Sequence, residues 1–253
     1  MQNRRTFLTT SGATITLLPF AAHAAGHAGD RFDTSMGPLD IFPISHASFV
    51  MTSPAGTTYV DPVGGAEAYA GMAQPTLILI THEHGDHYSA ETLAALDDGN
   101  VQFITNPAVY DMLSDDQKLR ATSLANGDRT STGNITYDAI PAYNISEDRL
   151  NFHPQGRDNG YVVTMGDFRI YISGDTEDVP EMRSLENIDL AFVCMNLPFT
   201  MDAEAAASAV SEFAPTWVYP YHYRGRDNGT QDPMEFANML TSATETKIGG
   251  WYG

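Results

Sequence analysis

Short apolar segments separated by turn residues make up most of the chain after its first two dozen positions. The pattern predicts strands at 39–43, 47–52, 57–60, 76–80, 134–139, 161–165, 168–173, 190–195 and 217–219. Ser89 can cap a helix at 90–97, and Asp202 opens an alanine-rich helix that runs to Phe213. Helices are interspersed among the strands without a linker, which favours a single α/β (α+β) domain of mixed sheets with outer helices.

Side chains of metal-ligand type follow several of these strands. The apolar strand at 77–80 leads directly into THEHGDH, which contributes His82, His84, Asp86 and His87. Asp175 and His222 each follow a later strand. Imidazole and carboxylate groups suit divalent transition metals, most often zinc. The His-x-His-x-Asp-His spacing at a strand end therefore predicts a metal centre.

Two distant segments share the spacing His-x-x-Gly-Arg-Asp-Asn-Gly, one beginning at His153 and the other at His222. Asp-Asn-Gly is common in turns, so part of this match carries little information. A histidine at the same offset in both copies is less common, and it predicts similar loops that present similar ligands.

With these motifs, the sequence resembles the metallo-β-lactamase superfamily. The resemblance covers nearly all of the chain after residue 24. The His82-x-His84-x-Asp86-His87 motif resembles the signature of that family. Segments 45–49, 160–163, 171–176 and 199–204 look most like the branch that includes ascorbate-phosphate lactonase. The resemblance implies a four-layered αββα metallo-β-lactamase sandwich with metals at one sheet edge.

The resemblance also implies a role for each candidate ligand. His82, His84 and a third histidine would hold one divalent ion, and the second ion would be held by Asp86, His87 and His222. Asp175 would lie between the two ions, and Asp61 would support the metal loop from behind. The third histidine position could be filled by His153 or by Asn144, and we favour His153 because it is the only histidine between His87 and His222. Zinc is the expected metal, with Mn2+ or Fe2+ as alternatives.

The activity implied by the resemblance is hydrolysis of a small-molecule ester, lactone or related bond by a metal-bridged water. True β-lactamases of the superfamily commonly carry a cysteine where Asp175 stands. Asp86 would orient the water or take its proton, in addition to binding metal. His46 would contact substrate beside the metals, or serve as a structural hydrogen-bonding group. The alternatives are a phosphodiesterase or phospholipase-D-like hydrolase on the same fold, and a non-catalytic periplasmic metal-binding protein.

The charge balance narrows the class of partner. The chain has 32 acidic and 13 basic residues, which disfavours nucleic acid and anionic lipid. Arg157, Arg224 and Arg226 nevertheless lie within four positions of His153 or His222. Arg157 and Arg226 each precede an aspartate that could neutralise them, whereas Arg224 has no adjacent acid. We therefore expect Arg224 to bind an anionic small-molecule substrate.

The first two dozen residues resemble a twin-arginine export signal. Arg4 and Arg5 precede a weakly apolar stretch at 13–22, and small residues at 22–24 suit cleavage after Ala24. We predict a signal peptide at 1–24 and a single hydrolase domain at 25–253. The mature protein would be periplasmic, would meet the export machinery only in transit and would have no stable membrane insertion. Cys194 is the sole cysteine and lies in an apolar run, which predicts a buried structural thiol.

Overall fold

Two seven-stranded sheets form the central layers of the protein. The structure is a computed structural model, and it describes residues 29–240 and 243–252. The first sheet contains β1 (Asp30–Thr34), β2 (Gly37–Ser45), β3 (Ser48–Ser53), β4 (Gly56–Val60), β5 (Leu77–Ile80), β6 (Gln102–Thr105) and β7 (Ala121–Ser123). The second sheet contains β8 (Arg129–Thr132), β9 (Ile135–Ala142), β10 (Asp158–Met165), β11 (Phe168–Ile172), β12 (Leu190–Cys194), β13 (Trp217–Tyr221) and β14 (Glu245–Thr246).

The two sheets repeat one pairing scheme. In the first, β1 to β4 pair antiparallel and β4 to β7 pair parallel. In the second, β8 to β11 pair antiparallel and β11 to β14 pair parallel. Parallel strands bring their carboxyl ends to one edge, and that is where open α/β sheets place ligands. Hydrogen bonds join the sheets at this edge, from Tyr161 Oη to the carbonyl of Ile80 and from the amide of Asn159 to the carbonyl of Thr81.

Helices cover the outer faces of both sheets. They are α1 (Ala90–Leu96), α2 (Pro107–Met112), α3 (Asp115–Lys118), α4 (Pro180–Arg183), α5 (Ala203–Phe213), α6 (Pro233–Met239) and a 3-10 turn at Ala66–Tyr69. Apolar side chains of α1 pack on β5, and Phe213 of α5 meets Tyr171 of β11 edge to face. Between the sheets, Phe49 stacks on Phe192 with ring centroids 4.1 Å apart. The four-layered αββα sandwich expected from the sequence is confirmed.

All nine predicted strands and both predicted helices are present. Ser89 and Asp202 accept the capping hydrogen bonds from Thr92 and Ala205. The strands that the pattern missed, β1, β6, β7, β8 and β14, have five residues or fewer, and β8 is a polar edge strand. One boundary matters for function, because β10 begins at Asp158 and takes the first Asp-Asn-Gly into a strand.

The predicted signal peptide lies outside the described residues. Within residues 29–240 and 243–252, none of the helices has the length and apolar character needed to cross a membrane. Cys194 is fully buried as expected, and burial raises the pKa of its thiol to about 12.

Candidate metal centre

The predicted ligands meet at the edge where the parallel strands end. Asp61 directly follows β4, and His82 follows β5 after one residue. Asp175 follows β11 after two residues, and His222 directly follows β13. Asp61 and His222 have left-handed backbones with φ of 44° and 49°, as does His46 with φ of 53°. Strained backbone of this kind costs roughly 1–3 kcal/mol per residue and clusters at functional sites.

Three groups of side chains, two of which share His82, could each hold an ion. In each group, one ligand atom from every residue lies within 4.8 Å of the others. The first group is the predicted one, with His82, His84 and His153. The predicted second set of Asp86, His87 and His222 is divided between the other two groups, which are His46 with Asp86 and His222, and His82 with His87 and Asp175. The structure thus brings all seven predicted ligands together and adds His46 beside Asp86 and His222.

Asp175 lies between these groups. Its Oδ1 is 3.3 Å from His87 Nε2, and its Oδ2 is 3.5 Å from His153 Nε2. The same Oδ2 is 3.4 Å from His222 Nε2, whose other carboxylate neighbour is Asp86 Oδ2 at 3.3 Å. Asp175 is 3% exposed, whereas the side chain of Asp86 is 46% exposed and opens towards solvent.

Hydrogen bonds behind the site fix which nitrogen of each imidazole faces inward. Asp61 accepts from the amide and hydroxyl of Thr81 and from His87 Nδ1. Because the Thr81 hydroxyl donates to Asp61, it accepts from His82 Nδ1 at 3.0 Å. His82 and His87 are therefore assigned the tautomer that leaves the Nε2 lone pair free. This arrangement matches the supporting role predicted for Asp61.

His153 and His222 are also held at Nδ1, but by other partners. His153 Nδ1 lies 3.0 Å from Asp158 Oδ2, which leaves its Nε2 free. His222 Nδ1 lies 3.2 Å from the side-chain amide of Asn196. A flip of the Asn196 amide, which exchanges its oxygen and nitrogen, places the oxygen against the imidazole of His222. The amide nitrogen then donates to Thr200 Oγ1. Sequence reasoning missed Asp158, Asn196 and Thr81. Asp158 stands in the shared eight-residue pattern, which is the signal that could have found it.

The inward-facing atoms suit a metal. The Nε2 atoms of His82, His87 and His222 and the Oδ1 atom of Asp175 are buried and have no hydrogen-bond partner among the described residues. Lone pairs that converge in a buried space without a donor are unfavourable unless a cation fills it. Nitrogen and carboxylate donors are those that zinc and other divalent transition metals take. The residues present therefore fit a metal centre.

The charges of the site reinforce one another. Burial alone would raise the pKa of Asp175, but the positive charges of the neighbouring His222 and His87 outweigh burial and hold that pKa well below its usual range. Burial lowers the pKa of His87, yet Asp175 and Asp61 raise it well above the ordinary value. Positive charge is thus favoured beside Asp175, and a bound metal would supply that charge in place of protons.

His46 occupies the half-open side of the centre. Its ring centroid is 3.9 Å from that of His222, and its Nε2 lies 3.4 Å from Asp86 Oδ2. Its Nδ1 lies 2.8 Å from the hydroxyl of Tyr252. Burial alone would raise the pKa of Asp86, but the close approach of His222 and His46 to its Oδ2 outweighs burial and lowers the pKa of that carboxyl. His46 therefore lies beside two candidate ligands, and Tyr252 is a neighbour that the sequence did not reveal. The role of His46 towards a substrate stays a prediction.

A pocket of about 330 Å³ opens onto the centre. This volume suits a small molecule, since ligand pockets typically span roughly 300–1,000 Å³. Phe152 and Phe199 form an apolar wall, with ring centroids 5.1 Å apart in an edge-to-face arrangement. Four candidate ligands line the opposite side: His84, Asp86, His153 and Asp175.

The three arginines near the centre differ in their partners. Arg157 donates to both carboxylate oxygens of Asp158 and lies 3.0 Å from Glu83, so its charge is neutralised. Among the described residues, Arg224 and Arg226 form no ion pair, which corrects the expectation that Asp227 neutralises Arg226. Each lies over an aromatic ring instead: Arg224 at 4.2 Å from the Tyr252 centroid and Arg226 at 4.7 Å from that of Phe199. Both are exposed cations beside the site.

Asn144, the alternative to His153, makes structural contacts. Its amide nitrogen donates to the carbonyls of Arg149 and Phe199. His153, by contrast, contacts the rings of both His82 and His84. The geometry agrees with the choice of His153.

Fold and site together define a protein of the αββα class with a histidine- and aspartate-rich metal centre at the sheet edge. Residues 41–222 match the Beta-lactamase superfamily domain, and the chain belongs to that superfamily. The specific likeness to the ascorbate-phosphate lactonase branch stays a prediction.

Known relatives agree with this assignment. The UPF0173 metal-dependent hydrolase of Pyrococcus horikoshii is 29% identical, over 81% of this chain and 93% of its own. A Parabacteroides distasonis protein described as a metal-dependent hydrolase is 37% identical, with a TM-score of 0.76 over 88% of this chain and 98% of that one. A metallo hydrolase of Ignicoccus hospitalis, at 22% identity, shares the fold with a TM-score of 0.68 over 83% of this chain and 94% of its own.

Proposed function

We propose that this metal-dependent hydrolase uses two divalent ions to cleave a small-molecule ester, lactone or related bond. The observation that carries the proposal is the set of buried, unpartnered Nε2 atoms of His82, His87 and His222 around the carboxylate of Asp175. Asp175 lies within 3.5 Å of His153, a proposed ligand of the first ion, and of His87 and His222, proposed ligands of the second. A protein that only sequesters metal has no need of a substrate-sized pocket beside its ligands.

Two bound ions would acidify a water molecule and polarise the oxygen of the attacked group. The chain's own residues do the remaining work. Asp86, half exposed at the pocket, would orient the attacking water and accept its proton on a carboxylate oxygen. His46 would donate from Nε2 to an oxygen of the substrate. Phe152 and Phe199 would exclude water from one side of the reacting bond.

The first test is metal analysis joined to a substrate screen. Protein purified without chelator should contain about two divalent ions per chain, with zinc expected. It should hydrolyse members of a lactone and ester panel faster than bis(4-nitrophenyl) phosphate. Preference for the phosphodiester would favour the phosphodiesterase alternative, and metal without turnover of any panel member would favour a metal-binding protein. A reproducible content of one ion, unchanged by added metal, would rule out the two-ion mechanism.

The unpaired cations favour an anionic substrate. Arg224 and Arg226 are exposed and lack acidic partners among the described residues, in a chain with an excess of acidic groups. A guanidinium offers a bidentate fork for a carboxylate or phosphate. Arg224→Ala should lower kcat/KM for a carboxylated γ-lactone. The loss of transition-state stabilisation calculated from kcat/KM should be roughly 1.5–3 kcal/mol, the contribution of a charge-assisted hydrogen bond. The methyl ester of the same lactone is the control, and equal slowing of both would mean that Arg224 is structural.

Export through the twin-arginine route completes the proposal. It rests on the paired guanidiniums of Arg4 and Arg5, which that export receptor reads. Replacing both with lysine should leave precursor in the cytoplasm, as measured by cell fractionation and the size of the retained chain. Normal periplasmic accumulation of the variant would exclude this route.

A further inference from the structure

The side chain of Tyr252 contacts two candidate functional groups. Its hydroxyl lies 2.8 Å from His46 Nδ1 and accepts the backbone N–H of Arg224 at 3.2 Å. Its ring lies beneath the guanidinium of Arg224. The backbone secures this arrangement, because His46 donates its amide to Trp251 and the amide of His222 donates to His46. Tyr252 thus lies directly behind the half-open side of the metal centre.

The hydrogen-bond directions follow from what each atom can donate. The Arg224 amide is a donor only, so it occupies one lone pair of the Tyr252 oxygen. Among the described residues, the only side-chain acceptor in contact with the phenol is His46 Nδ1. With the phenol donating to Nδ1, the proton of a neutral His46 is on Nε2. That Nε2 lies 3.4 Å from Asp86 Oδ2, at the side of the centre where a substrate oxygen would lie.

We propose that Tyr252 is a positioning residue that fixes His46 in the Nε2–H tautomer and aims that donor at the reacting group. The proposal deepens the proposed function and rests on it for the role of His46 in hydrolysis. The hydroxyl and the ring of Tyr252 are chemically separable. The hydroxyl bonds His46 and the backbone N–H of Arg224, and the ring alone lies beneath the Arg224 cation.

The tautomer can be measured without a substrate. In the metal-loaded protein labelled with ¹⁵N-histidine, imidazole nitrogen shifts distinguish Nε2–H from Nδ1–H, and His46→Gln identifies the signal of His46. The expected result is Nε2–H in the wild type and a mixture of both tautomers in Tyr252→Phe. An Nδ1–H tautomer in the wild type, or an unchanged signal in Tyr252→Phe, would overturn the proposal. This readout decides the matter even if no lactone or ester is turned over.

Kinetics on the carboxylated γ-lactone and its methyl ester separate the two contacts. Tyr252→Phe should lower kcat about tenfold for both substrates, the scale of one lost hydrogen bond, and leave both KM values unchanged. Tyr252→Leu should also raise KM for the carboxylate alone, because the ring beneath Arg224 is lost. Tyr59→Phe is the matched control, since the hydroxyl that it removes donates to the carbonyl of Ala73, which is not a group of the metal centre.

A double-mutant cycle tests whether Tyr252 acts through His46. In the His46→Gln background, Tyr252→Phe should have no further effect on kcat, because the group that it orients is absent. Full additivity of the two substitutions would show independent action and would contradict the positioning role. Metal content and melting temperature are measured for each variant, so that loss of the ions or of folding is recognised separately.

Discussion

Segments 153–160 and 222–229 share the pattern His-x-x-Gly-Arg-Asp-Asn-Gly, and they fold differently. In the first segment, Asp158 starts β10 and pairs in register with Ala142 of β9, fully buried. In the second, Asp227 and Asn228 form an exposed turn with φ of 53° and 69°. The expectation that similar loops present the two histidines is therefore wrong, although both histidines reach the metal centre.

The partners of each histidine explain what the difference does. In the first segment, Asp158 accepts from His153 Nδ1 and pairs with Arg157, so the segment supports its own ligand. In the second, Asp227 makes no such contact, and the imidazole of His222 meets the amide of Asn196 instead. An identical sequence pattern thus gives a closed ion-pair network where a neighbouring strand buries it. In the second segment, which no described strand pairs with, the pattern gives an exposed turn. Arg226 there has no acidic partner among the described residues.

Removal of a ligand should have the largest effect in this comparison. His153→Ala and His222→Ala should each lose one ion and lower kcat/KM by more than about 100-fold, because even residues that only support ligands contribute roughly 10–100-fold. Elemental analysis and kinetics provide the measurement. Asn144→Ala is the control and should keep both ions, while losing roughly 1–2 kcal/mol of stability with its two amide hydrogen bonds. Loss of an ion in Asn144→Ala but not in His153→Ala would reverse the assignment of the third ligand.

Replacement of the aspartate of each segment by asparagine should give the next largest effect. Asp158→Asn should weaken metal affinity roughly 10–100-fold, because the carboxylate that orients His153 and neutralises Arg157 becomes a neutral amide. Asp227→Asn should change stability by no more than about 0.5 kcal/mol, as is usual for an exposed site. Chelator competition and thermal unfolding measure the two quantities. Similar effects from both variants would mean that the segments are equivalent in solution.

Much of the fold could be predicted because its signals are local. Alternating or continuous apolar runs mark β2 to β5 and β9 to β13, and side-chain caps mark α1 and α5. Short elements such as β7 and β14 carry too few residues to show a period. They exist because a neighbouring strand completes their hydrogen bonds, and that is a tertiary effect.

The ligands could be predicted for the same reason, whereas the residues that support them, apart from Asp61, could not. His82, His84, Asp86 and His87 are adjacent in sequence, so their spacing alone indicates a metal. Asn196 lies just after β12 and Tyr252 lies after β14, and no spacing in the chain links them to His222 or His46. The fate of the two Asp-Asn-Gly sequences depended on whether a strand lay beside them, which a local pattern does not contain.

The smallest effect in the comparison should come from the arginine at the same position of each segment, Arg157 in the first and Arg226 in the second. Arg226→Ala should lower kcat/KM about 1.4- to fivefold for the carboxylated γ-lactone and leave its methyl ester unchanged, because an exposed, screened charge contributes only about 0.2–1 kcal/mol. Arg157→Ala should act on both substrates alike, since its guanidinium bonds Asp158 and Glu83 and supports the His153 ligand. The ratio of the two substrates' kcat/KM values, measured at low and high salt, separates these outcomes. If Arg226→Ala slows the ester as much as the acid, its stacking on Phe199 shapes the pocket wall and its charge is not used for binding.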